Sequence, residues 1–118
     1  KYKRIITRIL KVIRECGGFV NKYCGLHVHF DCRNRNERVL LERFFFNQDR
    51  LYLLVSLERR YGNYSKPIHY IEQAYRHGYF GIEYSCKYKT VEIRIKEATL
   101  SSTEVINWIK VLLEIVGE

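Results

Sequence analysis

Eight consecutive residues, Cys24-Gly25-Leu26-His27-Val28-His29-Phe30-Asp31, constrain the fold of this chain more than any other stretch. Leu26, Val28 and Phe30 alternate strictly with His27, His29 and Asp31, which is the two-residue period of a strand with one buried face. The apolar side fixes the strand on a core. The other side then presents two imidazoles and a carboxylate in a row, all groups able to ligate a metal or move a proton. His-x-His aims both rings the same way, so they can converge on one ion, but a third ligand has to come from elsewhere.

With 118 residues, 47% of them hydrophobic and 29% charged, the chain reads as a single domain, 1–118, whose core needs no staples. No apolar run reaches the length of a membrane span and no secretory pattern opens the sequence, so a cytoplasmic protein with no membrane role is expected. A start without Met suggests trimming or processing. Cys16, Cys24, Cys32 and Cys86 lack any Cys-x-x-Cys spacing, which argues against a structural zinc site or an obligatory disulfide. Cys24, in phase with Leu26, reads as a small core residue. The net charge of +8 suits either nucleic acid or phosphate-rich small molecules.

The opening segment, Lys1 to Cys16, reads as an amphipathic helix. Ile5, Ile6, Ile9, Leu10 and Ile13 form its stripe, and the residues up to Arg14 include six cations and no acid. Gly17-Gly18 ends it, and Phe19 and Val20 are expected to start a short strand. Asn36 is placed to cap a helix from Glu37 whose buried face is expected to carry Val39, Leu40, Leu41, Phe44 and Phe45. Asn47 or Asp49 is expected to restart a second helix carrying Leu51, Leu54 and Val55. The stretch Glu58 to Ser65 reads as a loop in which Arg59 and Arg60 could meet phosphate, since guanidinium forks match phosphate oxygens. A short helix around Ile68 to Tyr75 follows.

Gly81 to Ser85 and Thr90 to Lys96 read as a hairpin joined at Cys86-Lys87-Tyr88-Lys89. In the second strand Val91, Ile93 and Ile95 face inward, while Glu92, Arg94 and Lys96 share the other face. If this face aligns with that of the histidine strand, His27, His29, Glu92 and Arg94 lie on one surface. Glu92 could then complete a metal site, and Arg94 and Lys96 could hold phosphate. Ser101 with Glu104, or Ser102 as the cap, opens a terminal helix through Trp108 and Leu112. The pattern predicts an α+β fold: an antiparallel sheet of roughly four strands with helices packed on one face.

Three stretches together resemble a known family. They are Cys-Gly-Leu-His-Val-His-Phe-Asp from Cys24, Arg-Tyr-Gly-Asn-Tyr-x-x-Pro from Arg60, and Thr-Val-Glu-Ile-Arg-Ile-x-Glu-Ala-Thr-Leu from Thr90. In this order, followed by a Trp-bearing helix, they look like the amidoligases, which are ATP-dependent carboxylate–amine ligases related in fold to glutamine synthetase and glutamate–cysteine ligase. The resemblance runs from about Cys24 to the C-terminus. It implies a glutamine synthetase-like antiparallel sheet whose open face holds Mg²⁺ and ATP. The γ-phosphate passes to a carboxylate, and an amine displaces the acyl phosphate to leave an amide.

By matching motifs, the resemblance makes His27, His29 and Glu92 metal ligands and makes Glu92 and Arg94 catalytic. Arg59, Arg60, Arg94 and Lys96 would hold the nucleotide. The implied substrates are a small-molecule or peptide carboxylate and an amine. Family members usually carry a Gly-x-Glu-x-Glu strand ahead of the His-x-His strand. Here a basic helix stands in that place, and Gly81-Ile82-Glu83 comes in the wrong order to replace it. A shortened or partial version of the family domain is therefore expected. The alternative is a non-catalytic basic module that binds nucleic acid or a partner protein through the first helix.

Overall fold

The computed structural model describes residues 1–117 of the chain. In order, its elements are α1 (Tyr2–Glu15), β1 (Val28–Asp31), α2 (Glu37–Tyr52), α3 (Leu57–Tyr61), a 3-10 helix (Ile71–Tyr75), β2 (Ile82–Ser85), β3 (Thr90–Ile93) and α4 (Ser102–Val116). This is a small α+β protein with a three-stranded antiparallel sheet and four α-helices. Two compact units can be separated, one made of residues 1–24 with the stretch from Ala98 onward, the other of Gly25–Glu97. No helix among the described residues is long and apolar enough to cross a membrane.

The larger unit is built on the sheet, in the order β1-β3-β2. Val28 pairs with Ile93 and Phe30 with Val91; on the other edge Ile82 pairs with Ile93 and Tyr84 with Val91. Because side chains alternate, these residues share one face, and Val91, Ile93 and Ile82 are fully buried there. Helix α2 packs against β2 and β3, and Phe44 meets Phe30 at 5.5 Å between ring centroids. Leu40, Leu41, Phe44, Gln48 and Leu51, three or four residues apart, make the buried stripe of α2. The Asn36 side chain accepts the Arg38 N–H at 2.9 Å and so caps the helix.

The structure corrects several expectations about elements. Helix α2 runs unbroken through Asn47 and Asp49, because the buried Leu51 and Tyr52 hold its last turn in place. Asn47 accommodates this by donating to the Arg43 carbonyl at 2.8 Å. Arg59 and Arg60 lie in the short helix α3 rather than in a loop. Three strands are present among the described residues, not four, since Phe19 and Val20 pair with nothing and Phe19 is 82% exposed. Gly18 turns back at that point to donate to the Ile13 carbonyl at 2.8 Å, closing α1 instead of launching a strand. Any side chain on Gly18 would strike Ile13. Cys24 is exposed, not a core residue, because β1 begins only at Val28. Cys32 is the buried cysteine, with its thiol pushed up by burial.

In the smaller unit α1 packs on α4. Ser101 caps α4 by accepting the Glu104 N–H at 3.3 Å, and the Thr99 hydroxyl donates to the Glu104 carboxylate at 2.7 Å. Gly117, at φ 89°, closes α4 in the left-handed conformation that a side chain would strain. Helix α4 buries Val105, Trp108 and Leu112, whereas α1 has no buried residue at all.

Candidate functional site

The sheet register that buries one face assembles the other. His29 lies opposite Glu92 across β1 and β3, and Glu83 lies opposite Glu92 across β2 and β3. Three chemically active side chains therefore form a row across all three strands. Arg94, two residues beyond Glu92, extends the row into a cluster. Its Nη1 is 3.0 Å from Glu83 Oε1 and its Nε is 3.6 Å from Glu92 Oε1. His27 Nδ1 approaches Glu92 Oε1 to 2.8 Å and His29 Nε2 to 3.8 Å. The second histidine is steadied from below by Thr90, with Nδ1 to Oγ1 at 3.3 Å.

Both glutamates are withdrawn from water: Glu83 is 1% exposed and Glu92 8%. Such burial is tolerable only where partners compensate the lost hydration. Glu83 Oε1 accepts the Gly78 N–H at 2.6 Å and the Phe80 N–H at 3.4 Å in addition to Arg94. His77 Nδ1 lies 3.6 Å from Glu83 Oε2. Even so, Glu83 Oε2 and Arg94 Nε lack a hydrogen-bond partner among the described residues. The hydrogen bond from His27 holds the Glu92 carboxyl below the usual range, against the opposing effect of burial.

The other residues assigned from sequence lie at the margin of the cluster or away from it. Arg59 donates to the Ile95 carbonyl at 3.2 Å and to the Arg94 carbonyl at 2.6 Å, so its guanidinium straps α3 to the chain after β3. It still borders His27, because a side chain on Gly25 would meet both Arg59 Nη2 and His27 Nε2. Arg60 points into a different place, 3.5 Å from Asp49. Lys96 pairs with Glu97 at 3.0 Å. A register irregularity lies between them and the sheet. Val28 pairs with Ile93, but Gly25 bridges Glu97 and Leu26 donates to the Lys96 carbonyl, so the chain after β3 holds one extra residue. Such a bulge interrupts alternation, and Glu92 and Arg94 stay together while Lys96 leaves the series.

The sequence offers Glu83, like Asp31, only as an extra oxygen ligand outside the assigned site, although the hairpin contains the signal. Four loop residues from Cys86 to Lys89 make Ser85 face Thr90, and counting back along the ladder places Glu83 against Glu92. Asp31, the third polar group of the histidine strand, turns instead to Arg33, with Oδ2 to Nη2 at 2.8 Å.

Magnesium prefers oxygen ligands, and in nucleotide sites one or two carboxylates are joined by phosphate oxygens and water. Glu92 fits that mode. An all-protein cage does not fit, since among the described residues no group of three or more His, Cys, Asp or Glu side chains is placed to hold a metal ion. The bond between His27 and Glu92 would have to open for both to face one ion.

Away from the cluster, a cleft of about 1020 Å³ lies between α2 and the chain from Arg60 to His69, with Phe46, Asp49, Arg60, Tyr61 and Lys66 in its walls. Gln48 fixes one wall by a two-way hydrogen bond with the Ile68 backbone, at 2.6 and 3.1 Å. Phe80 connects the two places: its side chain lines the cleft and its N–H reaches Glu83.

A family model described as "Putative amidoligase enzyme" matches residues 2–85. That span takes in α1, both histidines, Arg59, Arg60 and Glu83, and stops before Glu92 and Arg94, so it begins earlier and ends sooner than the sequence resemblance suggested. No curated protein and no solved structure matches the chain.

Proposed function

This chain belongs to the amidoligase family, and from that premise we propose that it joins a carboxylate to an amine at the expense of ATP, through an acyl phosphate. The observation that carries this reading is the row His29–Glu92–Glu83, its two glutamates buried and its histidine open to water, with Arg94 gripped between the glutamates. Transfer of a γ-phosphoryl group is governed by positioning and by stabilisation of phosphate charge. A guanidinium held at 3.0 Å by one carboxylate, and flanked by a second, is preorganised for that task. Arg94 is the cation that would face the transferring phosphoryl group.

Glu92 is the carboxylate that would meet the nucleotide's Mg²⁺, with His27 and His29 beside it. The metal, when bound, supplies neutralisation of phosphate charge. The substrate carboxylate attacks the γ-phosphorus and ADP leaves; the amine then attacks the acyl carbon and loses a proton, phosphate departs, and an amide remains. Arg59 and Lys96 serve this site indirectly, since their donors are engaged by main-chain carbonyls and by Glu97. The cleft suits the carboxylate substrate, a small molecule or a peptide. Its aromatic walls would take an apolar group, and Arg60 and Lys66 the charge. The glutamine synthetase-like arrangement of the sheet belongs to the same reading.

Titration of Mg²⁺-ATP by calorimetry tests the proposal. Wild type gives a magnesium-dependent heat that Glu92→Gln and Arg94→Ala abolish. Wild type that takes up no nucleotide, with or without metal, removes the enzyme reading. A second reading, a non-catalytic module for nucleic acid or a partner protein, draws on the cations of the first helix, Lys1, Lys3, Arg4, Arg8, Lys11 and Arg14. Salt-dependent binding of RNA or DNA, weakened when these residues are neutralised, would support it.

A further inference from the structure

Helix α1 differs from the other long helices in leaving most of its apolar stripe exposed, with only Ile6 and Leu10 half-buried. Ile9 is 53% exposed and Val12 56%, and Ile5 and Ile13 are open as well. With Arg8, three of these residues border a shallow hollow of about 270 Å³ on the helix surface. The stripe continues past the helix end, because Gly18 folds against Ile13 and is followed by Phe19, at 82% exposure. Tyr23, in the segment that follows, is 84% exposed. At the helical period these apolar residues fall on one arc, and Lys1, Lys3, Arg4, Arg8, Lys11 and Arg14 fall on the remainder. Glu15 is the single acid, paired with Lys11 at 3.9 Å.

We infer that this face of α1 lies on an anionic lipid surface, with Ile5, Ile9, Val12, Ile13 and Phe19 in the acyl boundary and the cations among the headgroup phosphates. Two properties have to be matched at once. Nucleic acid would satisfy the cations and leave the apolar arc in water. A second copy would cover the arc, but it would bring the two cationic flanks together with one acid apiece to offset them. An anionic bilayer answers both, and it needs no complementary shape from its partner. At 14 residues the helix is about 21 Å long, enough to lie in the interface and too short to span it. Tyr23, also exposed, is an aromatic of the kind that settles at headgroup depth. This surface is independent of the ligase site.

Co-sedimentation of the whole chain with vesicles provides the test. Vesicles of phosphatidylcholine with phosphatidylglycerol should capture the protein at low salt, vesicles of phosphatidylcholine alone should not, and rising salt should release it. Arg8→Gln with Lys11→Gln should weaken capture by about fivefold for each cation removed. Ile9→Glu with Val12→Glu should weaken it by about a hundredfold, since both side chains leave the acyl boundary. All four positions are exposed, so circular dichroism and the Trp108 emission should be unchanged. No capture by anionic vesicles at low salt overturns the inference. So does equal capture by neutral ones, or capture indifferent to both double substitutions. Sedimentation equilibrium showing a dimer that Ile9→Glu abolishes, without vesicle binding, would assign the face to a second copy instead.

Discussion

The two faces of the sheet bury their central residues by opposite means, and the polar face stays open at its histidine edge. On one, Val91, Ile93 and Ile82 are closed off by α2, where dispersion and the hydrophobic effect reward every atom removed from water. On the other, Glu83 and Glu92 are buried and Arg94 is mostly withdrawn from solvent, where each charge costs hydration that its partners only partly return. Replacing such a cluster by apolar residues of similar size is commonly neutral or stabilising. What the difference teaches is that the apolar face accounts for the fold, while the polar face is better explained by chemistry.

The largest expected effect is on the apolar side. Phe44→Ala leaves a void against Phe30 and should cost about 3 to 5 kcal/mol in urea unfolding. Nearly as large is Glu83→Ala, which strands Arg94 in a water-poor site and should cost about 3 kcal/mol. The sharpest comparison is the double replacement Glu83→Leu with Arg94→Leu. It should unfold within about 1 kcal/mol of wild type, because removing both charges removes their desolvation cost as well. The same variant should give no heat with Mg²⁺-ATP. A double variant as unstable as Glu83→Ala would show that the polar face holds the fold together and would break the contrast drawn above.

Smaller effects belong to the edges of each face. Asn36→Ala removes the cap of α2 and should cost about 1 kcal/mol. On the histidine strand, Arg33 holds the exposed Asp31 carboxyl at about 2, against an ordinary 3.8. A lowered folded-state value means stability that is present in full above the ordinary value and is lost as pH falls through the folded one. Asp31→Asn should therefore flatten the acid limb of the stability curve between pH 3.8 and about 2, by a small amount because the pair is in water. Glu92, also held low, has the same sign, so Glu92→Gln should flatten the limb starting near its ordinary 4.5. A curve unchanged in both variants would separate these carboxylates from acid stability altogether.

Much of this was legible in local pattern. The alternation from Leu26 to Asp31 and from Val91 to Arg94 named both strands and the shared face of His27, His29, Glu92 and Arg94. Asn36 and Ser101 marked two helix starts, and Gly17-Gly18 marked a helix end. Lys96 was misplaced because alternation assumes an unbroken ladder, and the extra residue after β3 lies in the pairing between chains far apart in sequence. The surroundings of Arg59 were hidden for a related reason. Nothing in a double arginine says that one guanidinium will be taken by the carbonyls of Arg94 and Ile95 while the next faces Asp49.

By itself, then, the sequence determined which residues share a side, since the periods of strand and helix are properties of the backbone and need only neighbours. Tertiary structure alone decided which sides are covered. Helices α1 and α2 carry equally readable apolar stripes, yet α2 lies on the sheet with Phe44 fully buried and α1 leaves Ile9 and Val12 open. Burial is a relation between segments brought together from distant parts of the chain, and no local period encodes it. The same holds for Glu83, whose side chain became part of the site only when β2 paired with β3 and the Gly78 and Phe80 amides closed over it.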